Sequence, residues 1–162
     1  MRVILGRRGD YAVRAMIDVA RHWEQGRRKT RQIAAAMDIP TKFLTLILAE
    51  LAGAGFLNGR QGPAGGYTLT RPPEDISLRE VVEAAEGPVA LDTCVLSGGP
   101  CDWVEACPIH DTWSEAQAAF KTRLDATTLA DLAATDLKIE AGRHSPAQPT
   151  HATDTERRGT RN

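Results

Sequence analysis

Three cysteines, Cys94, Cys101 and Cys107, fall within fourteen consecutive positions, and the 162-residue chain has no others. An odd count crowded into one short segment argues against a closed disulfide framework and for metal or redox chemistry. Thiolates are soft ligands that suit iron–sulfur clusters, zinc or Cu(I). The spacing is Cys-x6-Cys-x5-Cys. Structural zinc sites usually open with two cysteines about two to four residues apart. The wider loop here must wrap something larger than one ion, which favours a cluster. Three thiolates leave one coordination position to be filled by another side chain.

The segments before this loop read as helices and a hairpin. Ala12, Met16, Val19, Ala20 and Trp23 recur at helical spacing, predicting a helix from about Asp10 to Trp23. Thr30 is placed to cap a short helix through Met37, and Asp38-Ile39-Pro40-Thr41 makes a tight turn. A third helix carries Leu44, Ile47, Leu48 and Leu51 on one stripe and ends in Gly53-Ala54-Gly55. Two short helices around a tight turn form a helix-turn-helix pattern. Phe56-Leu57-Asn58 and Tyr67-Thr68-Leu69 read as strands around a turn at Gly62-Pro63-Ala64-Gly65-Gly66, a wing. Ser77-Leu78-Arg79-Glu80 is a capping box opening a helix that Gly87-Pro88 ends. Beyond the cysteine loop, a helix from about Asp111 to Ala126 shows Trp113, Ala116, Phe120 and Leu124 on one side, and Thr128 caps a short terminal helix. From Arg143 onward almost nothing is apolar, so a disordered tail is expected.

These stretches together resemble the Rrf2 family of bacterial winged-helix transcription factors, in particular its IscR, NsrR and RirA iron–sulfur branches. The resemblance is carried by Asp10-Tyr11-Ala12-Val13-Arg14-Ala15-Met16, by Ile39 to Leu51 with the exit Ala54-Gly55-Phe56-Leu57, by Gly62 to Leu69, by Ile76 to Val82 with Glu86-Gly87, and by the three cysteines. It implies a mainly α fold with a small two-stranded β wing, a winged helix-turn-helix plus a long C-terminal dimerisation helix. The expected organisation is a DNA-binding domain over 1–73, a linker helix and cluster loop over 74–110, dimerisation and terminal helices over 111–140, and the tail over 141–162. It further implies a homodimer on a palindromic double-stranded operator, acting as a repressor, with a cluster in the cysteine loop.

For the fourth ligand the resemblance offers two residues. His110 sits where IscR-like members place a histidine on a 2Fe–2S cluster, and Asp10 where NsrR-like members donate a carboxylate across the dimer to a 4Fe–4S cluster. His110, tethered three residues after Cys107, is the local choice. The expected set is therefore Cys94, Cys101, Cys107 and His110, with Asp10 as the alternative and 2Fe–2S favoured over 4Fe–4S. A zinc-stabilised structural or interaction module without cluster sensing is the competing expectation.

Charge supports a nucleic-acid partner. Residues 1–72 hold 12 Lys+Arg and 5 Asp+Glu, a balance of +7, and residues 73–162 hold 8 and 16, a balance of −8, which together give the net −1. Lys42 and Thr45 can reach phosphates or base edges, and Leu46 offers apolar contact alone, such as to a thymine methyl. In the wing, Arg60, Gln61 and Gly62 are candidates. Family members carry an arginine directly before this glycine; here Gln61 stands there, so phosphate contact by Arg60 is expected. Arg31, with Arg7, Arg8 and Arg71, would add sequence-independent attraction. No phosphate loop, G-x-S-x-G or paired carboxylates support an enzyme. No apolar run approaches a membrane span and no signal peptide is evident, so a cytoplasmic protein without a membrane partner is expected.

Overall fold

A computed structural model describes residues 5–89 and 107–143. The order is α1 (Arg7–Arg21), α2 (Thr30–Met37), α3 (Thr41–Gly53), β1 (Leu57–Arg60), β2 (Gly66–Leu69), a 3-10 turn (Pro73–Asp75), α4 (Leu78–Glu86), α5 (His110–Asp125) and α6 (Leu129–Arg143). This is the mainly α winged helix-turn-helix expected above. Cys94, Cys101 and the tail beyond residue 143 lie outside the described residues.

One core holds the described part together. Ala12, Ala15 and Met16 of α1, Ile33 of α2, Leu44 and Leu48 of α3 and Val81 of α4 are all fully buried. Their 3–4 residue spacing puts a single stripe of each helix inward. α3 ends as its glycines require: Gly55 takes a left-handed φ of 84°, and the Phe56 amide donates to the Leu51 carbonyl at 3.0 Å. The strands pair antiparallel with Leu57 opposite Leu69 and Arg60 opposite Gly66.

Two local expectations shift. α1 starts at Arg7 rather than near Asp10 and ends at Arg21, leaving Trp23 beyond it. Its N-cap, Gly6, has no side chain to satisfy the helix's free amides. That role falls to Glu86, at the end of α4, whose Oε1 accepts the Gly9 amide proton at 2.7 Å. In α2, Lys29 rather than Thr30 occupies the cap position, and Gln32 Oε1 reaches back to the Lys29 amide at 2.8 Å. The Ser77–Glu80 box forms as read: Ser77 Oγ accepts from the Glu80 amide at 3.2 Å, and Glu80 Oε2 accepts from the Ser77 amide at 2.8 Å.

Arg28 fastens the wing to α1. Its backbone exchanges two hydrogen bonds with Tyr67, both 2.9 Å, so β2 is flanked by β1 and by Arg28. Its guanidinium forks onto Asp18 of α1 through Nε to Oδ2 at 2.8 Å and Nη2 to Oδ1 at 2.9 Å. Asp18 is fully buried, the one such charged residue in the described core. The wing glycines serve this packing before any ligand. A Cβ on Gly66 would stand 2.7 Å from the Arg28 carbonyl oxygen, and one on Gly65 would stand 2.3 Å from that of Arg60. Gly62, with φ +100°, faces open space.

The terminal helix is longer than the short one expected. α6 spans 15 residues. Leu129 and Ala133 enter the core, and Arg21 of α1 forks to Asp136 at 2.8 Å and to Glu140. The Leu129 amide also donates to the Ile76 carbonyl at 2.9 Å. α6, from the acidic C-terminal half, thus packs against α1 of the basic N-terminal half.

Candidate nucleic-acid interface and metal centre

With Leu44, Ile47, Leu48 and Leu51 turned inward, α3 presents Thr41, Lys42, Phe43, Thr45, Leu46 and Ala49 to solvent. Lys42 Nζ lies 5.2 Å from the centre of the Phe43 ring, and the Tyr11 ring of α1 has its centre 6.4 Å from that of Phe43. The Thr45 hydroxyl donates to the Thr41 carbonyl at 2.9 Å, so its proton is spent within the helix. Arg60, at the end of β1, is exposed, as are Gln61 and Gly62 in the turn and Arg31 in the first turn of α2.

Two arginines counted as general attractors are engaged elsewhere. Arg8 pairs with Glu50 at 2.8 Å, and Arg71 bridges Glu80 at 2.6 Å and the Asp75 carbonyl at 2.8 Å. Arg27 and Arg28 are likewise used internally: Arg27 Nη1 donates to the Asn58 carbonyl at 2.9 Å. Sequence reading missed this because a cation's partner is set by tertiary packing. It also missed Tyr11, whose position beside Phe43 depends on how α1 crosses α3.

On the thiol side, Cys107 is half-buried and lies three residues before the start of α5. His110 is the first residue of α5, and its amide donates to the Cys107 carbonyl at 3.2 Å. These two share one turn of backbone at the exit of the cysteine segment. Among the described residues no three His, Cys, Asp or Glu side chains gather into a metal-binding group. Asp10 is committed otherwise: its Oδ2 accepts from Arg14 Nη2 at 2.6 Å, while Arg14 Nη1 donates to the Met37 carbonyl at 2.6 Å.

A cysteine and a histidine carried on one turn of backbone are donor types that suit iron–sulfur clusters as well as zinc. Trp113 lies one turn beyond His110, and its indole Nε1 is buried without an acceptor among the described residues, as are the Nε atoms of Arg14 and Arg21 elsewhere in the fold. At the entry of the same segment, Glu86 ends α4 and caps α1. The chain leaves α4 at Gly87 with φ +89°.

The comparisons agree with the winged helix-turn-helix fold. A family model, Rrf2, described as an iron-dependent transcriptional regulator, matches residues 5–135. The chain is similar to the HTH-type transcriptional regulator IscR of Aliivibrio salmonicida, 30% identical over 125 residues, covering 77% of this chain and 74% of that protein. It is 32% identical to protein rrf2 of Nitratidesulfovibrio vulgaris over 125 residues, 77% of this chain and 83% of that one. Among solved structures, CymR, the global cysteine regulator of B. subtilis, aligns with a TM-score of 0.69 at 26% identity, over 83% of this chain and 98% of that one. The IscR of T. potens aligns with a TM-score of 0.64 at 26% identity, over 91% and 94%. These relatives are regulators rather than enzymes, and the winged helix-turn-helix has the same architecture as theirs. The chain belongs to the Rrf2 family of transcriptional regulators.

Proposed function

We propose that this regulator is a cytoplasmic homodimeric repressor whose operator binding is governed by an iron–sulfur cluster, of 2Fe–2S type, held by Cys94, Cys101, Cys107 and His110. The signal would be iron, cluster supply, nitric oxide or redox state. The observation that carries this reading is the anchoring of the cysteine segment at both ends. Cys107 and His110 share the turn that opens α5, and Glu86 at the opposite end caps the helix that supports α3. A cluster bound there would supply a redox-active inorganic centre whose loss frees the thiolates. The pairing of Asp10 with Arg14 favours His110 as fourth ligand, because Asp10 would first have to give up that ion pair.

DNA contact is assigned to 1–73, with α3 in the major groove. Lys42, Thr45 and Leu46 face the bases, and Arg31, Arg60, Gln61 and Gly62 lie along the backbone. A dimer is supported by α5, a 16-residue helix with none of its residues buried within the chain. Isolated helices of about this length are marginal in water, so their stability comes from packing. Phe120 on α5 and Leu137 and Ile139 on α6 are exposed apolar side chains that a second copy could cover. With α5 and α6 over 111–140 as the pairing region, half-sites about 34 Å apart are expected.

Anaerobic purification followed by absorption spectroscopy, iron and sulfide analysis, and operator titration tests the reading. A brown protein whose operator affinity changes on cluster loss, and whose cluster is lost in His110→Ala but kept in Asp10→Ala, is expected. A colourless protein carrying zinc, or one that binds DNA equally with and without cluster, would overturn it in favour of a structural module.

A further inference from the structure

We propose that this regulator recognises its operator chiefly by the C5-methyl groups of thymines, through an apolar slot between α1 and α3 formed by Tyr11, Phe43, Leu46 and Ile47. The inference rests on α3 being the helix that enters the major groove, and names what that helix reads. The slot is a cavity of about 260 Å³. Leu46 is 63% exposed and Phe43 49% exposed on its rim. Large apolar side chains held open on one face mark an interaction site.

The polar inventory of this face is short. Of its exposed residues, Lys42 alone carries a charge, Thr45 has spent its proton on Thr41, and Glu50, beside the slot, is neutralised by Arg8 at 2.8 Å. Lys42 is the one exposed side chain of α3 that could pair with guanine; none of the others is an arginine, asparagine or glutamine. In a major groove the thymine methyl is the one apolar feature on a base edge. Phe43 is also braced for contact, with Lys42 over one face of its ring and Tyr11 beside it. Arg7 lines the same slot and Lys42 stands over Phe43 on its rim; with Arg8 offset by Glu50, these two cations leave the face positive, which complements phosphate charge. That charge complementarity selects duplex DNA, rather than a protein helix, as the occupant.

The test starts from random-sequence duplexes, so the operator need not be identified first. The full-length protein, prepared without air, is used to enrich binding sites from that pool. Each thymine of the enriched site is then replaced singly by deoxyuridine, which removes the methyl and leaves every hydrogen-bonding group. Affinities are read by fluorescence anisotropy at fixed salt. A fully buried methyl corresponds to about fourfold in affinity. One or more thymines per half-site should show a loss of that order, and Leu46→Ala, at a surface position that leaves the core intact, should bind thymine and deoxyuridine sites alike. Sequence-selective binding that is indifferent to deoxyuridine everywhere would overturn the proposal while leaving α3 as the reading helix. Deoxyuridine sensitivity unchanged in both Leu46→Ala and Phe43→Ala would place methyl reading elsewhere and overturn it too. Failure to enrich any site would remove the DNA-reading assignment itself.

Discussion

Replacing Arg28 by alanine should destabilise the protein far more than a surface arginine would. The Asp18 side chain is 1% exposed and that of Arg28 16%. The guanidinium supplies two charge-assisted hydrogen bonds, at 2.8 and 2.9 Å, one to each carboxylate oxygen. His22 cannot take over, since its Nδ1 is 3.9 Å from Asp18 Oδ1 and already lies 2.8 Å from the Asp18 carbonyl oxygen. Removing one member of such a pair strands the other in a medium that solvates charge poorly, at a cost of about 3–5 kcal/mol. That is a large share of the roughly 5–15 kcal/mol by which domains are stable. With a urea dependence of about 2 kcal/mol per molar, the unfolding midpoint followed by circular dichroism should fall by about 2 M. The double substitution Asp18→Leu with Arg28→Met should recover most of the loss, because neither charge is then left buried. A single Arg28→Ala variant within about 1 kcal/mol of the parent would refute this, since only a hydrated pair is worth so little.

Gly9→Ala would bring a Cβ to 2.8 Å from Glu86 Oε1, so it should displace the carboxylate and lower the melting temperature by the equivalent of about 1 kcal/mol, a capping loss that Glu86→Gln should largely escape. Leu44→Ala, at a fully buried core position, should cost about 2–5 kcal/mol by urea titration. Burial works to raise the Glu80 carboxyl, but the hydrogen bonds from Arg71 and Ser77 outweigh it and hold the group below its ordinary value of 4.5. Its stabilising contribution is therefore full above about pH 4.5 and is lost as pH falls through the lower folded value; Glu80→Gln should flatten that part of the acid limb. Phe120→Glu places a charge on the exposed apolar side of α5 and should shift the protein toward monomer in sedimentation velocity while leaving helical circular dichroism intact.

Short-range patterns are legible in the order of residues alone. The Ser77–Glu80 box, the Leu44–Leu51 stripe, the left-handed stop at Gly55 and the glycine turn of the wing each rest on residues within a turn or two of one another. Their geometry follows from backbone sterics and side-chain reach, which do not depend on the rest of the fold. The helix-turn-helix, the wing and the outward placement of Lys42, Thr45 and Leu46 follow from these patterns.

Tertiary structure decided which charges are free and where α1 begins. Glu86 and Gly9 are 77 positions apart, so nothing near Gly6 announces the cap that lets α1 start at Arg7. Arg28 and Arg71 look like any other basic residue in a basic half until Asp18 and Glu80 are packed against them. The length of α6 was hidden because its apolar residues do not keep to one face, Leu129 and Ala133 being buried while Leu137 and Ile139 are exposed, and Arg21, 115 positions from Asp136, becomes its partner only when the chain folds back. Composition and spacing act through neighbours in sequence. Ion pairing, capping across the fold and the slot beside Phe43 act through neighbours in space, and only the packing of α1 against α3, α4 and α6 brings those together.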